Sequence, residues 1–422
     1  MNTHANNFLA VADGLGARLG RDAIWHGPRC NWTGDSMEFL SGQWQVAHRA
    51  LGPELYSGTS GVALFLARLF EATREPLFGT VARAALEQAA SQVDALAPAT
   101  RGGFYSGAIG IAWALVRAGT LLDAPSAVER GWSLLASTRD DDLSAQGLDV
   151  TSGSAGSILA LIDLAAHATE ASTREQTLAL ACRHGRRLID SAQRGERGWS
   201  WSGMPGAQPQ GLCGFSHGAA GPAWALLALH HSTNVAEFRL ASEQAVRYER
   251  SWFNPDEQNW PDLRSLYDPT LGDGKRLTYM SAWCHGAPGI GLARLASYAV
   301  TNQPEYLEEV RAAVRTTTAG LRLALQAGQG NFSLCHGLAG NADLLLEAAK
   351  VLHEPEHATL AMQIGHLGEA LYARTGAPWP CGVVGGGETP SLMLGLSGIG
   401  HFYLRLHDAL IPSVLLVANQ AR

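Results

Sequence analysis

Charge is scarce in this 422-residue sequence and forms no long runs. Asp, Glu, Lys and Arg make up 16% of the residues, the formal net charge is −7, and no basic run is longer than a pair such as Arg186-Arg187. A surface that binds nucleic acid or anionic lipid normally clusters Lys and Arg on one face. The sequence therefore predicts no nucleic-acid partner.

Targeting and membrane-spanning segments are also missing. Residues 1–20 contain neither a basic start, an apolar central region nor a cleavage site of small residues, all of which a secretory signal would require. No apolar run reaches the ~18 residues that a transmembrane helix needs. We expect a cytoplasmic protein with no membrane insertion.

Cysteine is too sparse for a disulfide scaffold. The six cysteines are Cys30, Cys182, Cys213, Cys284, Cys335 and Cys381. In a reducing compartment, cysteines that fall beside histidines more often indicate a metal site or catalysis. Cys284 and Cys335 are each followed by a histidine, and both therefore become candidates.

Alternating β-branched patterns are nearly absent, whereas glycine is abundant, with 48 residues. A G-x-x-G pair followed by a strongly apolar run occurs seven times, and the first glycines are 46 to 68 residues apart. The seven segments begin near residues 56, 105, 151, 216, 284, 335 and 393. Repeats of this period are typical of paired helices that stack side by side.

The apolar runs continue around the whole helix circumference, which predicts inner helices buried on all sides. Segments between them, such as 76–96 and 304–325, alternate charged and apolar positions with a helical period and predict outer helices. We therefore expect an all-α fold, a closed α/α toroid of about seven inner and seven outer helices. The whole chain, 1–422, is expected to form a single domain, with 1–45 as an N-terminal lead-in segment.

Alignment of the seven repeats on the first glycine brings the chemically reactive residues into register. The two preceding residues are Ser216-His217, Cys284-His285 and Cys335-His336 in three consecutive repeats. Neighbouring loops of a ring should lie side by side, so two thiolates and one imidazole would converge, and this donor set is known for catalytic zinc. Most lone cysteines are small buried hydrophobic residues, but two of them in register with histidines are harder to explain that way.

The register leaves open which histidine binds the metal. His336 and His285 are favoured because each follows a candidate cysteine. Cys213 is a rival ligand, but it lies outside the register and is expected to pack in the core. The zinc ion would deprotonate a substrate thiol, and attack on an alkene conjugated to a carbonyl would then need a proton donor. His217 is the candidate general acid, and Asp149 could orient it or could simply be an acid near a helix N-terminus.

Longer motifs surround these residues: RCNWTG at 29–34, GFSHGAAG, NWPDLR at 259–264, SAWCHGAPGIGLARL, SLCHGLAGN and TPSLMLGLSGIGHFYLRL. Taken together, these motifs resemble the lanthionine synthetase C-like cyclases. The resemblance is strongest to the cyclase domain at the C-terminus of class II synthetases. The resemblance implies an α/α toroid with zinc on Cys284, Cys335 and His336.

The same resemblance implies that His217 is the acid-base residue and Asp149 its carboxylate partner. The implied reaction is an intramolecular Michael-type addition of peptide cysteine thiols to dehydroalanine or dehydrobutyrine, which yields lanthionine or methyllanthionine. The implied substrate is a dehydrated precursor peptide with leader and core, and no organic cofactor is needed.

Two positions depart from the class I pattern of this family. Met280 stands where those members carry arginine, and His285 stands where they carry tyrosine, so that His285 could replace the tyrosine as a proton donor. The sequence contains no kinase, lyase or phosphate-loop motif. Dehydration is therefore expected from a separate dehydratase, unless the chain is one domain of a larger synthetase.

Several other functions remain open at this stage. The same site could add glutathione to dehydroamino acids between molecules, or the protein could be a non-catalytic peptide-binding scaffold. A prenyltransferase-like enzyme would need a basic diphosphate pocket, for which no Lys/Arg motif is present. A glycosidase-like toroid could use Asp149, Asp262 and Glu388, but paired carboxylates do not recur in the repeats.

Overall fold

The computed structural model describes residues 3–40, 43–202, 211–267 and 276–417. Within these ranges it contains fourteen α-helices, numbered in chain order. The seven inner helices are α2 (Thr59–Thr73), α4 (Ala108–Leu121), α6 (Ser154–His167), α8 (Ala220–Thr233), α10 (Ala287–Thr301), α12 (Leu338–Val351) and α14 (Leu396–His407). The seven outer helices are α1 (Thr3–Arg21), α3 (Pro76–Ser91), α5 (Pro125–Ser137), α7 (Ala171–Asp190), α9 (Ala236–Arg250), α11 (Pro304–Ala327) and α13 (Glu356–Gly368).

Each inner helix packs on an outer helix, and neighbouring inner helices pack on one another around a ring. Helix α1, from the segment expected to be a lead-in, is the outer partner of α14. The inner helix α4 is buried from Ala108 to Gly119 apart from Arg117, whereas the outer helix α9 buries only one face. The predicted all-α toroid with inner and outer helices is confirmed.

Closure of the ring is visible in the backbone. The loops in front of the inner helices are joined by seven hydrogen bonds, each from an amide of one loop to a carbonyl of another. They run from Tyr56 to Tyr105 (2.8 Å), Tyr105 to Thr151 (3.0 Å), Val150 to Ser216 (3.0 Å), Ser216 to Cys284 (3.3 Å), Cys284 to Cys335 (3.3 Å), Cys335 to Met393 (2.9 Å) and Met393 to Tyr56 (2.9 Å). The last bond returns to the first repeat, so the chain of bonds forms a closed circle at one end of the toroid.

The glycine pair has a steric origin. Six of the seven inner helices begin at the residue after the first glycine, and α8 begins one residue further on. The second glycine lies against the carbonyl oxygen of the residue six positions earlier. A Cβ at Gly110 would lie 1.6 Å from the Phe104 oxygen, and a Cβ at Gly340 would lie 1.8 Å from the Leu334 oxygen. Only glycine permits this approach of helix and loop.

The described part of the chain also contains three antiparallel hairpins, which the sequence pattern does not predict. They pair β1 (Ile24–His26) with β2 (Arg29–Asn31), β3 (Thr33–Leu40) with β4 (Gln43–Ala50), and β5 (Gln193–Gly195) with β6 (Gly198–Ser200). Short 3₁₀ segments cover Val93–Ala95 and Leu263–Tyr267, and a π-helical turn, Glu369–Ala373, follows α13. None of the helices in the described ranges is long and apolar enough to cross a membrane.

Candidate metal and acid-base site

Two cysteines and a histidine come together at the end of the toroid that carries the circle of backbone bonds. Cys284 precedes α10, and Cys335 and His336 precede α12. The Cys284 amide donates to the Cys335 carbonyl at 3.3 Å, which holds the two loops side by side. Their two Sγ atoms and one ring nitrogen of His336 all lie within 4.8 Å of one another. The three residues that the sequence selects as ligands are therefore adjacent.

The hydrogen bonding of His336 decides which of its nitrogens is available. Nε2 lies 2.8 Å from the carbonyl oxygen of Gly382. A carbonyl can only accept, so Nε2 carries the proton and Nδ1 keeps its lone pair. Histidine ligands of zinc are commonly oriented in this way by a second hydrogen bond. Burial lowers the pKa of His336, which keeps the imidazole neutral and able to donate that lone pair.

The two sulfurs influence each other's acidity in opposite directions. A hydrogen bond from Cys335 lowers the pKa of Cys284, burial opposes this, and the nearby charges of Arg264 and His217 reinforce it. The same hydrogen bond and burial raise the pKa of Cys335 well above its ordinary value. Cys284 is therefore the more acidic thiol. A pair of sulfurs and one imidazole nitrogen is a donor set that fits zinc and leaves a fourth position for substrate or water.

A histidine-carboxylate pair lies beside the sulfurs. The Nδ1 atom of His217 is 2.6 Å from Oδ2 of Asp149. The other carboxylate oxygen of Asp149 accepts hydrogen bonds from the backbone amide (2.8 Å) and the hydroxyl (3.3 Å) of Ser152, so the carboxylate is held from both sides. Burial disfavours a charged His217, but the hydrogen bond and charge of Asp149 outweigh it and raise the pKa of His217.

His285 lies in the same group of side chains but has a different character. Its ring centroid is 6.0 Å from that of His217, and the side chain is buried. Burial, followed by the positive charge of Arg264, lowers the pKa of His285 to about 4. At neutral pH, His285 is therefore an uncharged imidazole, whereas His217 is the histidine whose surroundings favour a proton.

Arg264 is a site residue that the sequence analysis missed. It binds Asp262 through Nε at 2.9 and 3.1 Å and through Nη2 at 2.6 Å. Its Nη2 also lies 3.3 Å from the sulfur of Met280, the position at which the family resemblance expects an arginine. A guanidinium group is thus present near the expected place, but it comes from the NWPDLR segment. The presence of Arg264 in the NWPDLR motif is the sequence feature that could have identified it as a site residue.

Tyr56 is a second missed residue. Its hydroxyl hydrogen-bonds the Cys335 sulfur, which lowers the pKa of that thiol and partly opposes the rise caused by Cys284 and burial. Tyr56 occupies the same register position in the first repeat as Cys335 does in the sixth. Ring closure brings the two repeats near one another, and the repeat register was the signal that could have indicated it.

The remaining candidates are placed elsewhere or have other partners. Cys213 is buried and lies outside the cluster of three ligands. Of the carboxylates considered for glycosidase chemistry, Asp149 binds His217, Asp262 binds Arg264, and Glu388 binds Arg18 and the Trp379 amide. Each carboxylate therefore binds its own histidine, arginine or amide partner. This arrangement does not match the pair of carboxyl groups that a glycosidase places on either side of a sugar bond.

Comparison with known proteins agrees with this picture. The family model described as lanthionine synthetase C-like protein matches residues 49–416. The zebrafish (Danio rerio) protein named glutathione S-transferase LANCL1 is 32% identical over 157 residues, which are 35% of this chain and 32% of that protein. The Lactococcus lactis subsp. lactis lacticin 481/lactococcin biosynthesis protein LcnDR2 is 24% identical over 202 residues, 46% of this chain and 20% of that protein.

The matched segments thus span about a third or less of either curated relative. Among solved structures, a nisin cyclase superposes with a TM-score of 0.59 at 18% identity and covers 87% of this chain and 92% of that one. At this identity the similarity shows a common fold, a helical toroid.

Proposed function

Because the chain belongs to the lanthionine synthetase C-like family, we propose that it is a zinc-dependent lanthipeptide cyclase. It would add cysteine thiols of a dehydrated precursor peptide to dehydroalanine or dehydrobutyrine and so form lanthionine or methyllanthionine rings. The observation that carries this proposal is the convergence of Cys284, Cys335 and His336 beside the Asp149–His217 pair. A separate dehydratase, or another domain, would prepare the substrate.

Cys284, Cys335 and the Nδ1 atom of His336 would hold the ion. A zinc ion bound there supplies positive charge that keeps a substrate thiol deprotonated at neutral pH. The protein supports the same charge state, because α10 and α12 begin three residues after Cys284 and Cys335 and helix N-termini favour negative charge.

The protein would also manage the proton that the reaction requires. When the substrate sulfur bonds to Cβ of the dehydroamino acid, the C=C π electrons move toward the carbonyl and an enolate forms. A proton on Nε2 of His217 would pass to Cα, so that the enolate returns to a carbonyl and the saturated thioether-linked residue is complete. Nδ1 of His217 would meanwhile keep its hydrogen bond to Asp149, which stabilises the charged ring before transfer. The positive charge of Arg264 would favour the enolate.

His285 would have a supporting role in this scheme. With a pKa of about 4, it is uncharged at neutral pH and is a weaker acid-base partner than His217. Its buried ring would limit the orientations that the neighbouring His217 ring and the substrate can adopt.

The proposal is tested with a dehydrated, cysteine-containing peptide. The wild-type protein, Cys335→Ala and the control Cys182→Ala, in the outer helix α7, are compared for loss of free thiol by alkylation and mass spectrometry, and bound zinc is measured separately. We expect about one zinc per chain and ring formation in the wild type and the control, and loss of both in Cys335→Ala. Full zinc and full activity in Cys335→Ala would show that the ligand assignment is wrong.

A second candidate function is the addition of glutathione to dehydroamino acids between molecules. The name of the zebrafish relative, glutathione S-transferase LANCL1, supports it. The two reactions differ in product mass, because cyclisation leaves the mass of the dehydrated peptide unchanged and glutathione addition increases it.

Replacement of His217 by Asn would also separate an enzyme from a peptide-binding scaffold. Only an enzyme would lose ring formation in this variant while it still bound the peptide.

A further inference from the structure

The β3–β4 hairpin carries an apolar face that points away from the core. The register pairs Met37 with Val46 and Phe39 with Trp44, so these four side chains lie on one face of the two strands. Phe39 is 61% exposed, Trp44 64%, Val46 40% and Met37 36%. The two aromatic rings contact edge to face at a centroid distance of 5.5 Å. We call these four residues the hairpin face.

The opposite side of the hairpin is polar. Glu38 is paired across the strands with Gln45, and Ser36 with Ala47, and Glu38 also binds Arg49 at 2.8 Å. The hairpin is therefore amphipathic in the strand period, with its apolar side uncovered. An isolated two-stranded sheet is marginally stable, and a contiguous exposed apolar patch usually marks an interaction site.

The hairpin face lies beside a glycine-rich segment, Gly385 to Gly387, that also lines a cavity next to His336. The Gly387 amide donates to Oδ2 of Asp35 at 2.7 Å, and a Cβ at Gly385 would lie 3.9 Å from Val46. The same glycine-rich segment lines a cavity of about 430 Å³, whose other wall includes His336. Val384, 76% exposed, extends the apolar surface along this segment. A chain seated on the hairpin face would therefore lie next to the cavity whose wall includes the candidate ligand His336.

We propose that the hairpin face docks an extended, apolar stretch of the peptide that undergoes ring formation, a role that rests on the proposed cyclase function. The polar residues on this side of the hairpin, Asp35 and His48, pair with each other at 2.8 Å, so the surface selects for apolar rather than charged side chains. β3 and β4 pair only with each other among the described strands, which leaves outer edges to which an extended segment can hydrogen-bond.

Binding is measured first, with a peptide that cannot react. A fluorescent peptide with serine in place of its cysteines, alanine in place of its dehydro residues and a Phe/Leu-rich flank is titrated against the wild type and the double variant Phe39→Ser/Trp44→Ser. The matched control is Leu240→Ser/Leu323→Ser, which removes two exposed leucines from the outer helices α9 and α11. We expect affinity to fall about tenfold or more in the hairpin variant alone. Equal affinity in all three proteins would overturn the proposal.

Ring formation is then followed with reactive peptides whose flank is either apolar or serine-rich. The hairpin variant should raise KM about tenfold for the apolar-flanked peptide and leave kcat within about twofold, with no change for the serine-rich peptide. If no peptide is cyclised but the binding difference persists, the proposed cyclase function is wrong and peptide docking on the hairpin face is supported. If the hairpin variant cyclises the apolar-flanked peptide with unchanged KM, docking on the hairpin face is wrong and the cyclase function is supported.

Sedimentation identifies the competing occupant, a second copy of the chain. A wild-type dimer that becomes monomeric in Phe39→Ser/Trp44→Ser would assign the face to self-association and overturn the proposal. A wild type and variant with the same sedimentation coefficient, together with the loss of peptide affinity, would support it.

Discussion

His217 is subject to two opposing influences. Burial disfavours its charged form, while Asp149 at 2.6 Å favours it, and the balance raises its pKa. Because its pKa is raised, the His217 imidazole keeps its proton to higher pH than an ordinary histidine, and it can release that proton to a developing carbanion. The residues that create this condition come from two different repeats, because Asp149 precedes α6 and His217 precedes α8.

The substitution Asp149→Asn should reduce the rate of ring formation by about 100-fold. Asparagine keeps the oxygen that accepts from Ser152 but removes the charge that raises the pKa of His217. The pKa of His217 should therefore fall, and because the protonated ring is the donor, the alkaline limb of the kcat profile should move to lower pH. The measurement is kcat across pH for the wild type and the variant.

The control for this substitution is Asp142→Asn, which removes an exposed carboxylate that binds Ser144 in a loop outside the site. Its profile should match that of the wild type. An Asp149→Asn profile with an unmoved alkaline limb would remove His217 from the role of proton donor.

The sequence predicts the candidate ligands at this scale but not all of their surroundings. Cys284 and Cys335 are found from their shared register, and the family resemblance adds His336. The sequence does not predict the places of Arg264 and Tyr56. Arg264 comes from a different loop than the arginine that the family resemblance expects, and Tyr56 meets a cysteine five repeats later. Both placements depend on how the ring packs. The choice among His217, His285 and His336 likewise depends on burial and hydrogen bonding.

At the scale of the helices, the G-x-x-G pair determines how closely loop and helix approach. The second glycine meets a carbonyl oxygen in every repeat, most closely at Gly110, where a Cβ would lie 1.6 Å from the Phe104 oxygen. Backbone atoms cannot rotate away as a side chain can. The repeat motif is therefore a packing requirement of the fold, and the reactive residues use positions that the packing has already brought together.

The substitution Gly110→Ala should lower the free energy of unfolding by about 3 kcal/mol, at the upper end of overpacking effects. Its matched control is Gly14→Ala in α1, where a new Cβ meets nothing within 4 Å. Gly14→Ala should raise the free energy of unfolding by about 0.5 to 1 kcal/mol, because alanine is the better helix former. Urea unfolding of both variants measures the contrast, and a stable Gly110→Ala protein would contradict this account of the motif.

The helices themselves were predictable because their signals are local. The apolar period of 304–325 marks α11, and the charge pattern of 76–96 marks α3, although that helix ends at Ser91. The β3–β4 hairpin was not predictable, because Phe39 and Trp44 carry an apolar pattern that is not buried. A prediction that equates apolar residues with the core assigns no role to such a segment.

At the scale of the whole molecule, buried histidines connect stability to acidity. His184 and His401 are both buried in the described structure. Burial lowers the pKa of His184 to about 3 and that of His401 to about 4. Unfolding exposes both side chains, whose pKa then returns to about 6.5. Below about pH 6.5 the unfolded chain therefore binds more protons than the folded one, and stability must fall as pH falls.

Each of these histidines should contribute a loss of about 1.4 kcal/mol per pH unit below about pH 6. In His184→Asn, the free energy of unfolding should be lower than that of the wild type at pH 7. Toward pH 5 it should decline less steeply, and the two slopes should differ by about 1.4 kcal/mol per pH unit. Urea unfolding at several pH values measures this, with a chelator present so that metal release adds nothing. The control His231→Asn, at an exposed position, should decline in parallel with the wild type, and parallel lines for all three proteins would contradict the assignment.

By itself the sequence determined the seven repeats, their inner and outer helices and the residues that fall in register before each inner helix. These features depend on short-range periodicity, which folding translates directly into buried and exposed faces. Only the tertiary structure decided that Met393 meets Tyr56 and closes the ring, that His336 presents Nδ1, that Arg264 and Tyr56 join the sulfurs, and that an apolar hairpin contacts the glycine-rich segment near His336. Those outcomes depend on contacts between residues far apart in the chain, whose geometry is determined by packing rather than by local pattern.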